Sequence, residues 1–198
     1  MPSPFLLVVT GPSGSGKSTL IARLLADCPW LRKVVTATTR AMRPREIDGR
    51  EYHFLSPERF RALLDEGGLL EHETYAGFEY GTPISELERP GETAEGIVLD
   101  LDIRGARTLR RLHPSRTSVV FVAPPSLECL ESRLKGRGTE TPAARAARLR
   151  IAREVMSEAC EHPDAFDARI VNDDAEVAAA RLRLVTEGIR AGRGRKPA

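Results

Sequence analysis

Residues 11–18 read GPSGSGKS, and the segments on either side of them leave the chain few folds to choose from. Phe5–Thr10, immediately before, is a nearly continuous apolar run, which is typical of a parallel strand buried on both faces. Beyond the glycines, leucine and isoleucine recur at helical spacing as far as Pro29. A buried strand, a glycine-rich turn and a helix, in that order, predict a phosphate-binding loop at the edge of an α/β sheet.

The residue types of this loop suit it to a nucleoside triphosphate. Its glycines let successive backbone N–H groups turn towards one anion, and the following helix directs the positive end of its dipole at the same point. Lys17 can reach the terminal phosphates, and the Ser18 hydroxyl can bind Mg²⁺. We therefore expect ATP to contact Gly11, Ser13, Gly14, Ser15, Gly16, Lys17, Ser18 and Thr19. The loop does not say which molecule receives the phosphate.

Strand and helix patterns alternate again in the second half of the chain. Strands are predicted at residues 96–101, 118–123 and 168–171, and helices at 103–112, 126–135 and 174–190. This alternation indicates the α/β class, with a central parallel sheet between layers of helices.

Between residues 36 and 82 the alternation breaks. A short helix is predicted at 57–65, with short strands near 52–54 and 69–74, which together suggest a small mixed α+β lobe. Thr141-Pro142 is a favourable helix start within a strongly basic segment. We divide a single domain of 198 residues into a core (1–35, 83–135 and 163–190), an acceptor lobe (36–82), a helical lid (136–162) and a basic tail (191–198).

Composition excludes several classes of protein. The 30 Lys and Arg residues nearly balance 28 Asp and Glu, and part of the basic excess lies in the tail, so a dedicated nucleic-acid or membrane-surface binder is not indicated. No apolar run approaches the ~20 residues that span a bilayer, and the first residues lack the basic region of a signal peptide. Three widely spaced cysteines suggest free thiols rather than a disulfide framework or zinc site. We expect a cytoplasmic protein.

A second motif follows the loop. Its residues are Thr38-Thr39-Arg40, Arg43, Glu46, Gly49, Tyr52 and Phe54-Leu55, followed by Glu71, Tyr80-Gly81-Thr82, Leu99-Asp100-Leu101-Asp102, Arg137-Gly138-Thr139, Arg148-Leu149 and Val171-Asn172-Asp173-Asp174. This pattern resembles guanylate kinases, members of the P-loop nucleoside monophosphate kinase family, and it covers Phe5 to about Arg190. The resemblance implies a three-layer P-loop kinase that catalyses ATP + GMP = ADP + GDP with Mg²⁺ by direct in-line transfer, accepts dGMP as well, and serves purine nucleotide metabolism.

The chemistry of guanine supports this assignment. Its Watson–Crick edge presents N1–H and N2–H₂ as donors, so one carboxylate can accept both, whereas adenine would leave that carboxylate unpaired. The resemblance implies that Glu71 is this carboxylate and that the Thr36 and Thr82 hydroxyls bond the rest of the edge. The phosphate of GMP would be bound by Arg40, Arg43, Tyr52 and Tyr80.

Asp100 ends an apolar strand, which puts its carboxylate near Mg²⁺ beside the loop. The resemblance implies that Asp100 and Asp102 both serve the acceptor and the water shell of the metal, with Ser18 and Asp100 as the metal residues. Which acid does which stays open, and Asp102 alternatively caps the next helix.

The basic segment resembles the lid of nucleoside monophosphate kinases. The resemblance implies that Arg137 and Arg148 stabilise the transferred phosphoryl group, together with Lys17 and Arg40. Arg145, Arg150 and Arg153 have no such match and are expected on a solvated helix face. Arg137 would also contact ATP, and Asn172 and Asp173 would contact ATP on its adenine side, although these last two alternatively cap the final helix.

The sequence departs from the family pattern at a few acceptor positions. Thr36 replaces a serine common in relatives, Arg45 a glycine, and His72 and Phe78 replace a common Trp and Asn, so tolerance of related bases is open. Arg89-Pro90-Gly91 should end a helix that is usually longer. Two alternatives remain: a non-catalytic guanylate-kinase-like binding module, and a kinase of another phosphorylated acceptor such as a sugar phosphate. The chain is expected to be a monomer or a homodimer.

Overall fold

Nine strands and six helices carry the fold in the computed structural model, which describes residues 3–44, 46–75, 77–88, 94–136 and 142–193. The strands are β1 (Phe5–Thr10), β2 (Leu31–Lys33), β3 (Ala37–Thr38), β4 (His53–Phe54), β5 (Leu69–Tyr75), β6 (Phe78–Pro83), β7 (Gly96–Asp100), β8 (Thr117–Ala123) and β9 (Ala168–Val171). The helices are α1 (Lys17–Asp27), α2 (Pro57–Asp65), α3 (Ile103–Leu112), α4 (Leu127–Gly136), α5 (Pro142–Glu161) and α6 (Ala175–Arg193).

A parallel sheet of five strands forms the core, in the order β2-β7-β1-β8-β9. Every residue of the central strand β1 is buried because helices cover both faces. Leu7 and Val9 pack in one apolar cluster with residues of α1 and α6, while Leu6 and Val8 pack in another with residues of α3. The predicted α/β class with a central parallel sheet is confirmed.

A second, mixed sheet has the order β4-β3-β6-β5. β3 pairs parallel with β4 and antiparallel with β6, and β6 pairs antiparallel with β5. Thr38 joins β3 to β6, because its hydroxyl donates to the Glu79 carbonyl at 2.9 Å and accepts from the Arg40 amide at 3.2 Å. Thr38, two residues before Arg40, therefore fixes the backbone from which the arginine side chain extends.

Most predicted elements lie within a residue or two of their expected positions. The exceptions are β2, β3 and β6, for which the sequence predicted no strand, and α6, which ends at Arg193 rather than at 190. Residues 191–193 of the predicted basic tail thus continue the last helix, while the rest of that tail lies outside the described residues. α5 begins at Pro142, as predicted. The proposed bounds of core, acceptor lobe and lid stay predictions, and Arg89-Pro90-Gly91 lies outside the described residues.

Within the described ranges, the search for a helix both long and apolar enough to cross a membrane finds none. All three cysteines are free thiols, as expected.

Candidate functional site

The glycine-rich loop lies between the end of β1 and the start of α1 and needs its glycines for two reasons. Gly14 and Gly16 have φ values of 91° and 94°, a left-handed conformation that other residues adopt at a cost. The surroundings also leave no space, since a Cβ on Gly11 would lie 2.2 Å from the Val122 carbonyl oxygen. Lys17 Nζ donates to the Gly11 and Pro12 carbonyls at 2.8 and 3.2 Å, which holds the side chain across the loop.

Ser18 and Asp100 meet beside this loop, because parallel strands β1 and β7 end at the same edge of the sheet. The Ser18 hydroxyl donates to Asp100 Oδ2 at 3.3 Å. A hydroxyl and a carboxylate oxygen at this spacing are the hard oxygen ligands that Mg²⁺ prefers, so the residues fit that ion. Within the described residues there is no group of three or more His, Cys, Asp or Glu side chains that could hold a metal ion.

Asp102 occupies a different position from Asp100. Its Oδ1 accepts from the Gly105 amide at 2.7 Å and caps α3, so the capping alternative is confirmed. Asp102 also lines a cavity together with Asp100, and burial raises the pKa of Asp102 despite its backbone hydrogen bonds. Of the two acids, Asp100 is the one that reaches Ser18.

Glu71 is a buried carboxylate on β5, only 5% exposed. The Thr82 hydroxyl donates to its Oε1 at 2.7 Å, and a Cβ on Gly105 of α3 would lie 2.9 Å from its Oε2. Burial raises the pKa of Glu71 to about 7, and the hydrogen bond from Thr82 offsets this only in part. Thr36 lines the same cavity as Glu71, whereas the fully buried Thr82 lies behind that carboxylate.

Arg40 lines the same cavity as Glu71 and lies among aromatic rings. Its guanidinium carbon is 5.4 Å from the centre of the Tyr52 ring and 5.5 Å from that of Phe54, and the Tyr52 and Tyr80 rings pack edge to face at 6.0 Å. Burial raises the pKa of the Tyr52 phenol above its usual value, so the hydroxyl stays protonated and can donate to a phosphate.

Glu46 is the residue of this region to which the sequence motif assigned no role. It accepts two hydrogen bonds from the Arg40 guanidinium, at 2.8 and 3.0 Å, and one from the Arg43 amide at 2.7 Å. Burial alone would raise the pKa of Glu46, but these hydrogen bonds lower it. In the sequence, only the position of Glu46 within the motif, three residues after Arg43, pointed to this residue.

One cavity of about 530 Å³ joins the glycine-rich loop to Arg40 and Glu71, a volume typical of small-molecule sites. The predicted residues that line it are Gly11, Ser13, Gly14, Gly16, Lys17, Ser18, Thr19, Thr36, Arg40, Arg43, Tyr52, Glu71, Tyr80, Asp100, Asp102 and Arg148. Lys33, Arg50 and Glu73 line it too and were not predicted. Ser15, Thr82, Asn172 and Asp173 were predicted but do not line it.

The arginines of α5 differ in their exposure and contacts. Arg148 donates to the Ser13 hydroxyl at 3.3 Å and so reaches the loop. Arg150 and Arg153 are exposed, as predicted, whereas Arg145 is half-buried with its Nε shielded from solvent, so its assignment to a solvated face was wrong. Arg137 lies outside the described residues.

Asn172 and Asp173 do not cap the last helix. That role belongs to Asp174, whose Oδ1 accepts from the amides of Glu176 and Val177 at 2.8 and 2.9 Å. Asp173 is exposed, and Asn172 is buried behind the phosphate loop.

Comparison with known proteins gives one consistent result. The model of the guanylate kinase family matches residues 3–188. The chain is 47% identical to the guanylate kinase of Parasynechococcus marenigrum, with 89% of this chain and 94% of that protein covered, and 45% identical to that of Salinibacter ruber, with 90% and 93% covered. The crystal structure of guanylate kinase from Anaplasma phagocytophilum matches with a TM-score of 0.77 at 30% identity, covering 95% of this chain and 87% of that one.

Proposed function

The chain belongs to the guanylate kinase family, and from that premise we propose how its residues carry out the family's reaction. The protein phosphorylates GMP with ATP, giving ADP and GDP. One observation supports the division of roles: Lys17 of the phosphate loop and the buried carboxylate of Glu71 line the same cavity. A donor and an acceptor bound there would have their phosphates facing each other.

Glu71 is proposed to select the base. Its ionised carboxylate accepts hydrogen bonds from guanine N1–H and N2–H₂, and Thr36 bonds the rest of the edge, while Thr82 orients the carboxylate from behind. Adenine carries an acceptor at N1, so it would leave a buried carboxylate unpaired.

The phosphate of GMP is proposed to bind Arg40, Arg43, Tyr52 and Tyr80. Arg40 is positioned by Glu46 on one side and by two aromatic rings on the other, so its planar fork meets the phosphate in a fixed orientation. The same contacts would hold dGMP, since they are made to the base and the phosphate.

The phosphate loop is proposed to hold the β- and γ-phosphates of ATP, with Lys17 and Arg148 at the transferred group and Arg137 beside them. Ser18 and Asp100 would hold Mg²⁺, directly or through water, and the bound ion would neutralise phosphate charge. The cationic side chains of Lys17, Arg137 and Arg148 would orient a direct in-line transfer without a covalent intermediate. Asp173 is proposed to contact ATP on its adenine side, whereas the side chain of Asn172 is bonded to the Ser15 carbonyl of the loop.

Closure of the acceptor lobe and lid over the cavity would exclude water and so suppress hydrolysis of ATP. The core, acceptor lobe and lid are proposed to have the bounds predicted from the sequence. A cytoplasmic location is also proposed, and the three free thiols are consistent with a reducing compartment.

The test is an assay of ADP formation with ATP and Mg²⁺, with GMP, dGMP, IMP, AMP, UMP and CMP offered in parallel. We expect kcat/KM for GMP to exceed that for AMP by a factor on the order of 10³ or more, because AMP leaves Glu71 unpaired. Comparable turnover of AMP would refute the role of Glu71. Silence with every nucleotide from a folded, ATP-binding protein would favour the binding module or the sugar-phosphate kinase.

A lysine substitution tests the donor side. Lys17→Ala should reduce kcat by about 10²-fold or more, because the loop loses its charge at the transferred phosphate. Lys135→Ala is the matched control, since this lysine is exposed on α4 and pairs with Glu131. Equal activity of the two variants would contradict the assignment of Lys17.

A further inference from the structure

Asn172 follows β9 and is held on three sides by hydrogen bonds. Its backbone N–H donates to the Ala123 carbonyl at 2.8 Å, and its backbone carbonyl accepts from the Arg133 guanidinium at 2.9 Å. Its side-chain Nδ2 donates to the Ser15 carbonyl, in the middle of the phosphate loop, at 2.7 Å. The side chain thus connects the edge of the core sheet to a residue 157 positions earlier in the chain.

The contact with the loop is close as well as polar. A Cβ on Gly16 would lie 2.2 Å from Asn172 Nδ2, so the loop backbone packs directly against the side-chain amide of Asn172. Asn172 is only 4% exposed, and within the described part of the chain its Oδ1 has no hydrogen-bond partner. The bond to Ser15 is therefore the polar contact through which the side chain acts on its surroundings.

We infer that Asn172 is a positioning residue of the phosphate loop. By holding the Ser15 carbonyl from behind, it keeps the backbone N–H groups of the loop directed into the cavity, where they would meet the phosphates of ATP. This inference deepens the proposed function, since it takes the loop to be the site of those phosphates. It differs from the adenine contact predicted for Asn172, because the amide is already bonded to Ser15 and the residue does not line the cavity.

Wild-type protein allows a direct test, because Asn172 is the only asparagine in the sequence and there is no glutamine. A ¹H–¹⁵N spectrum therefore shows one pair of side-chain carboxamide signals, and it belongs to Asn172. We expect these protons to exchange with water at least about tenfold more slowly than those of a free asparagine, in the protein without nucleotide. The β,γ-imido analogue of ATP with Mg²⁺ should leave this protection in place.

An adenine contact predicts the opposite pattern in the same spectrum. The carboxamide would exchange freely in the empty protein and become protected only when the nucleotide binds. That result would overturn the inference. Because the first spectrum needs no substrate, it separates failure of the inference from failure of the proposed function.

Substitution provides a second, kinetic test. In N172D the new carboxylate, once ionised, cannot donate to the Ser15 carbonyl, so at pH 8 we expect KM for ATP to rise about fivefold to 100-fold. KM for GMP, measured at saturating ATP, should change less than about twofold. Val171→Ala is the matched control, since Val171 is the exposed neighbour of Asn172 on β9.

Lower pH should rescue the N172D variant. A protonated carboxyl can donate to Ser15 as the amide does, although the nearby Arg133 favours the ionised form. We expect the ratio of KM for ATP, variant over wild type at the same pH, to fall severalfold between pH 8 and pH 5.5. Equal rises in KM for ATP and GMP with no pH dependence would mean a general loss of structure and would contradict the inference.

If N172D does not fold, Asn172→Ser replaces it in the same assay. Its hydroxyl can still donate but is too short to reach Ser15 without a shift, so KM for ATP should again rise selectively. A selective rise supports the inference, and an unchanged KM for ATP overturns it.

Discussion

Glu71 combines a binding requirement with a stability cost in one side chain. The contact with guanine that we propose needs the ionised carboxylate, yet burial raises the pKa of Glu71 to about 7, so the empty protein near neutral pH holds a mixture of both forms. Two measurements separate the two effects.

The first measurement is the pH dependence of KM for GMP. Protonation of Glu71 removes the acceptor for N1–H and N2–H₂, so KM for GMP should rise as pH falls below about 7, approaching tenfold per pH unit. Glu71→Gln carries a side chain that does not titrate, so its profile reports only the ionisation of the acceptor's phosphate. Parallel profiles for wild type and variant would contradict the role of Glu71 in binding the base.

The second measurement concerns the stability of the empty protein. The pKa of Glu71 rises from 4.5 to about 7 on folding, so the neutral form is favoured in the folded state. The resulting stabilisation is fully present below pH 4.5 and is lost as pH rises through 7, which costs roughly 3 kcal/mol above that pH.

Glu71→Gln should therefore have a higher free energy of unfolding than wild type at pH 8, by about 1–3 kcal/mol, with the difference vanishing near pH 4.5. Urea denaturation at both pH values measures it. Glu66→Gln is the control, since Glu66 is exposed at the end of α2. A variant that is less stable than wild type at pH 8 would show that the carboxylate has net favourable contacts when empty.

The sequence predicted the candidate site where residue type and spacing carry the chemistry. The loop and the acceptor motif identified Lys17, Arg40 and Glu71, which line one cavity. The positions of Glu46 and Asn172 could not be predicted in the same way. Each depends on which backbone or guanidinium group comes within 3 Å in the folded chain, and neither spacing nor composition carries that information.

At the level of whole elements, strands with a strong apolar pattern were predictable and short or irregular ones were not. β1, β7 and β8 are buried on both faces, so their apolar runs stand out. β2 has only three residues, two of them basic, and β6 reads FEYGTP, in which glycine and proline usually indicate a turn. β6 forms a strand because β3 and β5 pair with it on both sides, which is a tertiary effect.

Two arginines of α5, Arg148 and Arg150, extend to different surroundings and can be compared. Arg148 reaches the Ser13 hydroxyl of the loop, whereas Arg150 is exposed on the same helix. Arg148→Ala should lower kcat by about 10²-fold with a smaller effect on KM for ATP, because its charge acts chiefly on the transferred phosphoryl group.

The Arg150→Ala control should keep kcat within about twofold of wild type, and both variants should melt at the wild-type temperature, since each loses only one surface or cavity guanidinium. Steady-state kinetics and thermal melts check this pair. Equal losses of kcat in the two variants would indicate that α5 acts through its net charge rather than through one positioned side chain.

Across the whole molecule, the two sheets are connected near Val35 and again near Glu86, where the chain leaves and re-enters the core. Glu86 is buried there, and its Oε2 accepts from the Val35 amide at 2.9 Å while its Oε1 accepts from His53 Nε2, also at 2.9 Å. Arg32 of β2 donates to the Glu86 carbonyl at 2.7 Å. One carboxylate therefore links the segment between β2 and β3 to β4 of the mixed sheet.

This link should be visible in the cooperativity of unfolding. Glu86→Ala leaves the buried Val35 N–H without its acceptor, so the free energy of unfolding should fall by about 2–4 kcal/mol. Glu86→Gln should lose less, because its amide oxygen can still accept from Val35. Glu88→Ala, exposed two residues further on, is the control and should change stability by less than about 0.5 kcal/mol.

Urea unfolding followed through Trp30 in the core and through far-ultraviolet circular dichroism measures all three. If Glu86→Ala unfolds at the wild-type midpoint, the sheets are held together by packing alone. If its two transitions separate while those of wild type coincide, the carboxylate is what makes the mixed sheet and the core unfold as one unit.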